Sequence, residues 1–133
     1  MKCPCCSGNE YRKCCEIFHD GALPKHALEL MRSRYTAYAL NIPDYIIATT
    51  HPKNPHYSSD HLSWKREISE FSKNFTFHKL EITDSEEKGL AATVTFTAHI
   101  SQPSCDATFT EKSAFEKVKG KWLYLGAQLI KNH

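Results

Sequence analysis

Five of the six cysteines crowd the first fifteen residues, as Cys3, Cys5, Cys6, Cys14 and Cys15. The run reads C-x-C, eight residues, then C-C. A short polar segment this rich in thiol cannot fold on its own apolar area, so a metal or disulfides must tie it together. Zinc takes four soft ligands in a tetrahedron. Cys3 and Cys5 can supply two thiolates, and a returning turn can supply two more from Cys14 and Cys15. Ser7-Gly8 between the pairs is turn chemistry. Lys2, Arg12 and Lys13 are suitable neighbours for four thiolates around one Zn2+, a centre with two net negative charges. Disulfides are the competing reading and need an oxidising compartment. The first twenty residues hold no apolar signal-like stretch, and no run approaches a membrane span. In such a chain clustered cysteines are more often ligands. The expected cofactor is therefore Zn2+ and the expected location the cytoplasm. Cys105 stands apart, in an expected hairpin turn, and reads as a bystander.

A second constellation lies in the body of the chain. Phe109, Glu111, Ser113 and Phe115 alternate on one strand face. A carboxylate between phenylalanines must be paired, coordinated or solvated in a cavity. Arg34 lies about sixty degrees from Met31 on a helical wheel, at the edge of an apolar stripe. Arg32 projects about a hundred degrees away, toward solvent. Arg34, not Arg32, is thus expected to approach Glu111, either as a buried structural ion pair or as the polar floor of a pocket. His51 stands between a helix end and Pro52. It reads as a cap on that helix's carbonyls, with a proton carrier in the pocket as the alternative. The pocket residues are then Arg34, Tyr38, His51 and Glu111. His78 shares an expected face with Leu80 and Ile82 and reads as half-buried, while His56 and His61 belong to a polar loop and a helix start. Trp64 and Trp122 read as core.

These groups must be positioned by regular elements. Residues 16–22 read as a linker ending in Asp20-Gly21. Pro24 then opens a helix with Ala27, Leu28, Met31, Tyr35 and Tyr38 as its apolar stripe, stopped near Asn41. Pro43-Asp44 starts a short helix that ends before His51-Pro52. Asp60 is an N-cap signal for a third helix carrying His61, Trp64, Ile68, Phe71 and Phe75. The period then changes to two: strands are expected around Leu80–Ile82, over 90–100 and over 107–118, and Lys119-Gly120 turns the last into a fourth near 121–130. Helices followed by an antiparallel meander mean an α+β fold with the helices covering one sheet face.

The N-terminal run resembles the SEC-C motif, C-x-C-G-S-G followed by C-C or C-H, also found at the C-terminus of the secretory ATPase SecA. Met31-Arg32-Ser33-Arg34-Tyr35-Thr36-Ala37-Tyr38 looks like the central signature of the YchJ family. Glu111-Lys112-Ser113-Ala114-Phe115 with Gly120-Lys121-Trp122-Leu123-Tyr124 looks like its C-terminal signature. The resemblance implies a zinc knuckle over residues 1–20 and a nuclear-transport-factor-2-like domain over 21–133, a curved antiparallel sheet cupped around helices. It implies no reaction. Cys6 replaces the motif's glycine, which places a side chain in a turn built for glycine and offers an alternative ligand to Cys5.

Length and composition narrow the function classes. A chain of 133 residues with 11% aromatics is one folded domain with at most a small appendage. The net charge of +2 falls near zero once a tetrathiolate zinc centre is counted, and no Lys/Arg block appears, so nucleic acid is not an expected partner. There is no G-x-S-x-G, no phosphate loop and no H-E-x-x-H. Two readings follow. In the first, the chain is a zinc-binding interaction module, its closed knuckle docking a partner protein. In the second, it is an enzyme or carrier of a small-molecule ligand, using the pocket around Arg34, Tyr38, His51 and Glu111.

Overall fold

Helices occupy the chain up to residue 74 and strands follow. The computed structural model describes residues 1–133. After a 3-10 turn at Tyr11–Lys13 come α1 (Cys15–His19), α2 (Ala27–Ala39), α3 (Pro43–Ala48) and α4 (His61–Asn74). The strands are β1 (Thr76–Lys88), β2 (Ala91–Gln102), β3 (Cys105–Asp106), β4 (Phe109–Val118) and β5 (Lys121–Asn132). No helix is long and apolar enough to cross a membrane.

Local chemistry accounts for the boundaries. At the start of α2 the Glu29 carboxylate accepts the N–H groups of Lys25 and His26, at 3.2 and 3.1 Å. These are donors that the helix itself leaves free. Pro43 opens α3, where its missing N–H costs nothing. The Asp60 carboxylate accepts the Ser63 N–H at 3.2 Å to start α4.

The sheet is antiparallel in the order β1-β2-β4-β5, with the two-residue β3 folded back onto β2. Lys119 and Gly120 both have positive φ, 51° and 83°, the pattern of a type I′ hairpin turn. Bulges interrupt the β1–β2 ladder at Phe77/Lys79 and Ile82/Asp84, and the β4–β5 ladder at Thr110/Glu111 and Ala114/Phe115. Bulges bend strands and tighten twist, so the sheet curves around the helices. The first bulge also overturns the expectation for His78. The extra residue shifts it off the Leu80 face, and it lies exposed, bonded to Ser101 at 2.7 Å.

Two further expectations change. Residues 16–19 of the expected linker belong to helix α1, which begins at Cys15. The buried surface of α2 is far wider than one stripe: Ala27, Leu30, Met31, Ser33, Arg34, Tyr35, Thr36 and Ala37 are all buried. The reason is tertiary. The sheet covers one side of α2, α3 and α4 lie along another, and the cysteine segment covers a third, so polar positions that would face water on a lone amphipathic helix lie inside. Arg32 accordingly donates to the Cys5 carbonyl at 2.7 Å instead of extending into solvent.

The core forms two clusters. The larger joins Leu30, Met31 and Tyr35 to Leu80, Val94, Phe96, Phe115 and Trp122, and it includes Cys3, Cys5 and Cys15. The smaller holds Ala37, Ile46, Trp64 and Ile68 between the helices. Trp122, core as expected, also donates its indole N–H to the Lys25 carbonyl at 3.1 Å. Leu30 is fully buried at the centre of the larger cluster. Leu30→Ala is expected to lower the unfolding free energy by about 3 kcal/mol, measured by denaturant titration at unchanged m-value.

Candidate functional site

The cysteine segment closes as a miniature hairpin. Lys2 bridges Glu10, the Cys3 N–H donates to the Asn9 carbonyl at 2.9 Å, and the Tyr11 N–H donates to the Met1 carbonyl at 2.9 Å. This brings the Sγ atoms of Cys3, Cys5, Cys14 and Cys15 within 4.8 Å of one another. Cys5 and Cys14 are 3.6 Å apart, and Cys14 and Cys15 are 4.0 Å apart. A tetrahedral centre with metal–sulfur bonds of ~2.3 Å has edges of ~3.8 Å, so the four sulfurs fit one metal ion. None is in a disulfide.

The electrostatics of the cluster also call for a cation. The hydrogen bond from Cys15, with others from Ser7 and Cys3, draws the Cys5 thiol down to about 4. That same bond, with burial, pushes Cys15 well up, and burial raises Cys14. Four crowded sulfurs cannot all become thiolates unless positive charge joins them. Cys6 stands apart from the four. It adopts φ 65°, a left-handed conformation costing a side chain about 1 kcal/mol or more. Its sulfur accepts the Leu80 N–H of β1 at 3.5 Å.

The knuckle is seated on α2. The Thr36 hydroxyl lies 3.6 Å from Cys3 Sγ. His19 bridges the two parts, contacting the Tyr11 hydroxyl at 2.7 Å through Nδ1 and the Ser33 carbonyl at 2.8 Å through Nε2. A carbonyl can only accept, so Nε2 carries the proton and Nδ1 accepts from Tyr11. Burial draws the His19 pKa down, which favours this neutral form.

A cavity of about 560 Å³ opens between the helices and the concave sheet face. Its walls come from both core clusters: Met31, Phe96, Ala98 and Ile100 from the larger, and Ile46, Trp64 and Ile68 from the smaller. Arg34, Tyr38 and Glu111, three of the four expected pocket residues, line it. The fourth does not. His51 is buried elsewhere, its Nδ1 accepting the Lys53 N–H at 3.0 Å and its Nε2 bonded to Glu116 at 2.8 Å. Nor does it cap helix carbonyls. The chain after α3 runs beside the free edge of β5, with Thr50 bridging Tyr124 and the His51 N–H donating to the Tyr124 carbonyl at 2.8 Å. This contact between distant segments takes the imidazole away from the helix end.

Arg34 and Glu111 share the cavity but form no ion pair. Arg34 Nη1 donates to the Ile46 carbonyl at 3.1 Å and to the Thr49 and Thr50 hydroxyls at 2.8 and 3.1 Å. The guanidinium lies 4.4 Å from the centre of the Tyr124 ring. The expected pairing fails because the C-terminal turn of α3 offers carbonyl and hydroxyl acceptors closer at hand, and a helix C-terminus attracts a cation. Tyr124 feels both charged groups. Burial pushes its phenol up to about 12, opposed by Arg34 and reinforced by Glu111. Asn54 and His56 also line the cavity. Their Pro- and Asn-rich loop carried no sequence signal beyond turn composition, although the buried Asn54 side chain donates to the Leu125 carbonyl and accepts the His56 N–H.

Glu111 has no hydrogen-bond partner, and burial alone raises its pKa. The folded state therefore holds this proton more tightly than the unfolded one, and the charged form costs stability as pH rises above the unfolded value. Glu111→Gln removes that cost. The variant should melt higher than the parent at pH 7, and the gain should shrink as pH falls toward about 4.3, the ordinary glutamate value. Thermal melts across that range check both signs.

Comparison with known proteins fits this geometry. The family model described as YchJ, middle NTF2-like domain, matches residues 26–127. A UPF0225 protein of Haemophilus influenzae strain PittEE is 42% identical over 127 residues, covering 92% of this chain and 75% of that protein. Among solved structures, a SEC-C motif containing protein from Rhodopseudomonas palustris superposes with a TM-score of 0.83 at 30% identity, covering 98% of this chain and all of that one. Another, from Psychrobacter arcticus, superposes with a TM-score of 0.76 at 25% identity over 97% of this chain and 82% of that one. With a cysteine knuckle seated on a nuclear-transport-factor-2-like α+β domain, this chain belongs to the YchJ family.

Proposed function

We propose that the chain is a small-molecule-binding protein whose ligand site is the cavity of the α+β domain, and that its knuckle is a structural zinc centre. The observation that carries the reading is an apolar cavity of about 560 Å³ in which a guanidinium and a carboxyl group stand unpaired by each other. That is the size and the sparse polar decoration of ligand sites. Apolar side chains would have filled the space at lower cost had stability been the only demand on it. Trp64, Tyr38 and Phe109 line this cavity without filling it.

Zinc suits the knuckle because a four-thiolate set with no open position is structural chemistry, not water activation. Cys3, Cys5, Cys14 and Cys15 would hold it. The metal then stabilises the seat of α2. The docking-tab reading takes second place. It rests on the exposed outer rim, where Cys6–Asn9, Arg12 and Lys13 face solvent. If the knuckle docks a protein partner through these cations, a double Arg12→Glu, Lys13→Glu variant that retains its metal should lose that partner in affinity capture.

Two experiments test the main reading. Metal analysis of protein purified under reducing conditions should find about one zinc per chain. Chelation should lower the melting temperature of the whole chain in one cooperative step, since three of the cysteines belong to the main core. Separately, a neutral solvatochromic dye such as Nile red should bind the parent, and Ala98→Trp, which fills the cavity from β2, should abolish binding while circular dichroism stays unchanged. Equal dye binding by both proteins would reject the cavity as the ligand site.

A further inference from the structure

The ionisable side chains of the cavity divide into a rim and an interior. His56 and Glu67 are exposed and mark the rim, while Arg34 and Glu111 lie inside with Tyr35, Tyr38 and Tyr124. Arg34 is 6% exposed. Its hydrogen bonds to protein all leave from Nη1, so Nε and Nη2 have no protein acceptor. No carboxylate lies within ion-pair distance of it. A desolvated cation without a counter-ion is costly, and the carbonyls at the end of α3 offset only part of that cost. The guanidinium carbon lies over the Tyr124 ring, a cation–π contact that, with the three Nη1 hydrogen bonds, restricts how the group can reorient.

A planar, pre-oriented guanidinium with two free donor nitrogens is complementary to a carboxylate. It is the one permanent cation of the lining. A single fixed positive charge, with Glu67 at the rim and Glu111 inside, matches a monoanion better than a phosphate dianion. Most of the remaining wall is aromatic or aliphatic, with Phe96, Phe109, Ile68 and Ile100 among it. Glu111 does not stand in the way. Burial raises the Glu111 pKa, so this carboxyl takes up a proton more readily than a free glutamate, and whenever it holds one it can donate to an acceptor on the ligand.

Building on the cavity's role as a ligand site, we propose that it is an organic-acid site. It takes a monocarboxylate with an apolar body, the carboxylate on Arg34 and the body against Phe96, Phe109 and Ile68.

The test uses the metal-replete full chain and an isosteric pair of probes, 2-naphthoate and 2-naphthamide, titrated calorimetrically at low ionic strength. Naphthoate should bind about tenfold or more tightly than the amide, the margin of a charge-assisted hydrogen-bonded contact. Ala98→Trp should abolish both, and Arg34→Gln should bring the acid down to the amide. Because Arg34 also ties α3 to α2, Arg34→Gln is first checked by circular dichroism. Should it not fold, the acid–amide ratio in the parent decides alone, with Ala98→Trp reporting the location. Equal affinities, or dye binding with neither naphthyl probe bound, would overturn the acid proposal and leave the cavity's role as a ligand site standing. Failure of the dye and of both probes would overturn the two together.

Discussion

The structure depends on the burial of one helix. α2 sits between the concave sheet face, the pair α3 and α4, and the cysteine knuckle, and almost every position along its middle is inside. A single helix sealed on so many sides needs its polar side chains satisfied locally. The Ser33 hydroxyl meets Tyr45 and the Leu30 carbonyl, Thr36 faces Cys3, and Arg34 takes the last turn of α3. Without the knuckle, Thr36 and Arg32 would simply be the wet side of an amphipathic helix. With it, they become the joints by which the two parts of the chain are fixed to each other.

That arrangement explains why the cysteines belong to the core and not to an appendage. Cys3, Cys5 and Cys15 are buried in the same cluster as Leu30, Met31 and Phe96. A bound ion there would organise a local turn and, through Thr36 and the Cys5 carbonyl, the register of α2 against the sheet. The charges around the cluster are consistent with this. Met1 and Lys2 pair with Glu10 at the base of the hairpin, and Arg32 reaches in from the helix.

The cavity follows from the same geometry at the opposite side of α2. Arg34 anchors α3 and rests on Tyr124, while the loop after α3 is pinned to β5 by the backbone exchange between Thr49, His51 and Tyr124. These ties fix α3 and the loop after it beside the β5 edge, while α2 itself packs on the sheet. Between them the two apolar clusters do not merge, and Glu111, placed by the alternation of β4 and a bulge beside it, looks into the gap. Polar groups on both walls make collapse unfavourable, since closing the space would strand a cation and an acid in hydrocarbon.

The sequence alone carried everything that depends on spacing along the chain. The C-x-C and C-C pairs, the switch from a helical to an alternating period, the Lys119-Gly120 turn and the misplaced acid at Glu111 are local patterns. Each survives folding because backbone geometry dictates it. Arg34, Tyr38 and Glu111 could be placed on one cavity for the same reason. What spacing could not reveal is what meets what. That Arg34 would prefer the end of α3 to Glu111, that Arg32 would be roofed by Cys5, that His51 would turn to Glu116 and that a bulge would evict His78 are outcomes of competition among partners distant in sequence. Such competition is decided by which acceptor arrives nearest once the layers have packed, and no periodicity in a linear chain encodes that distance.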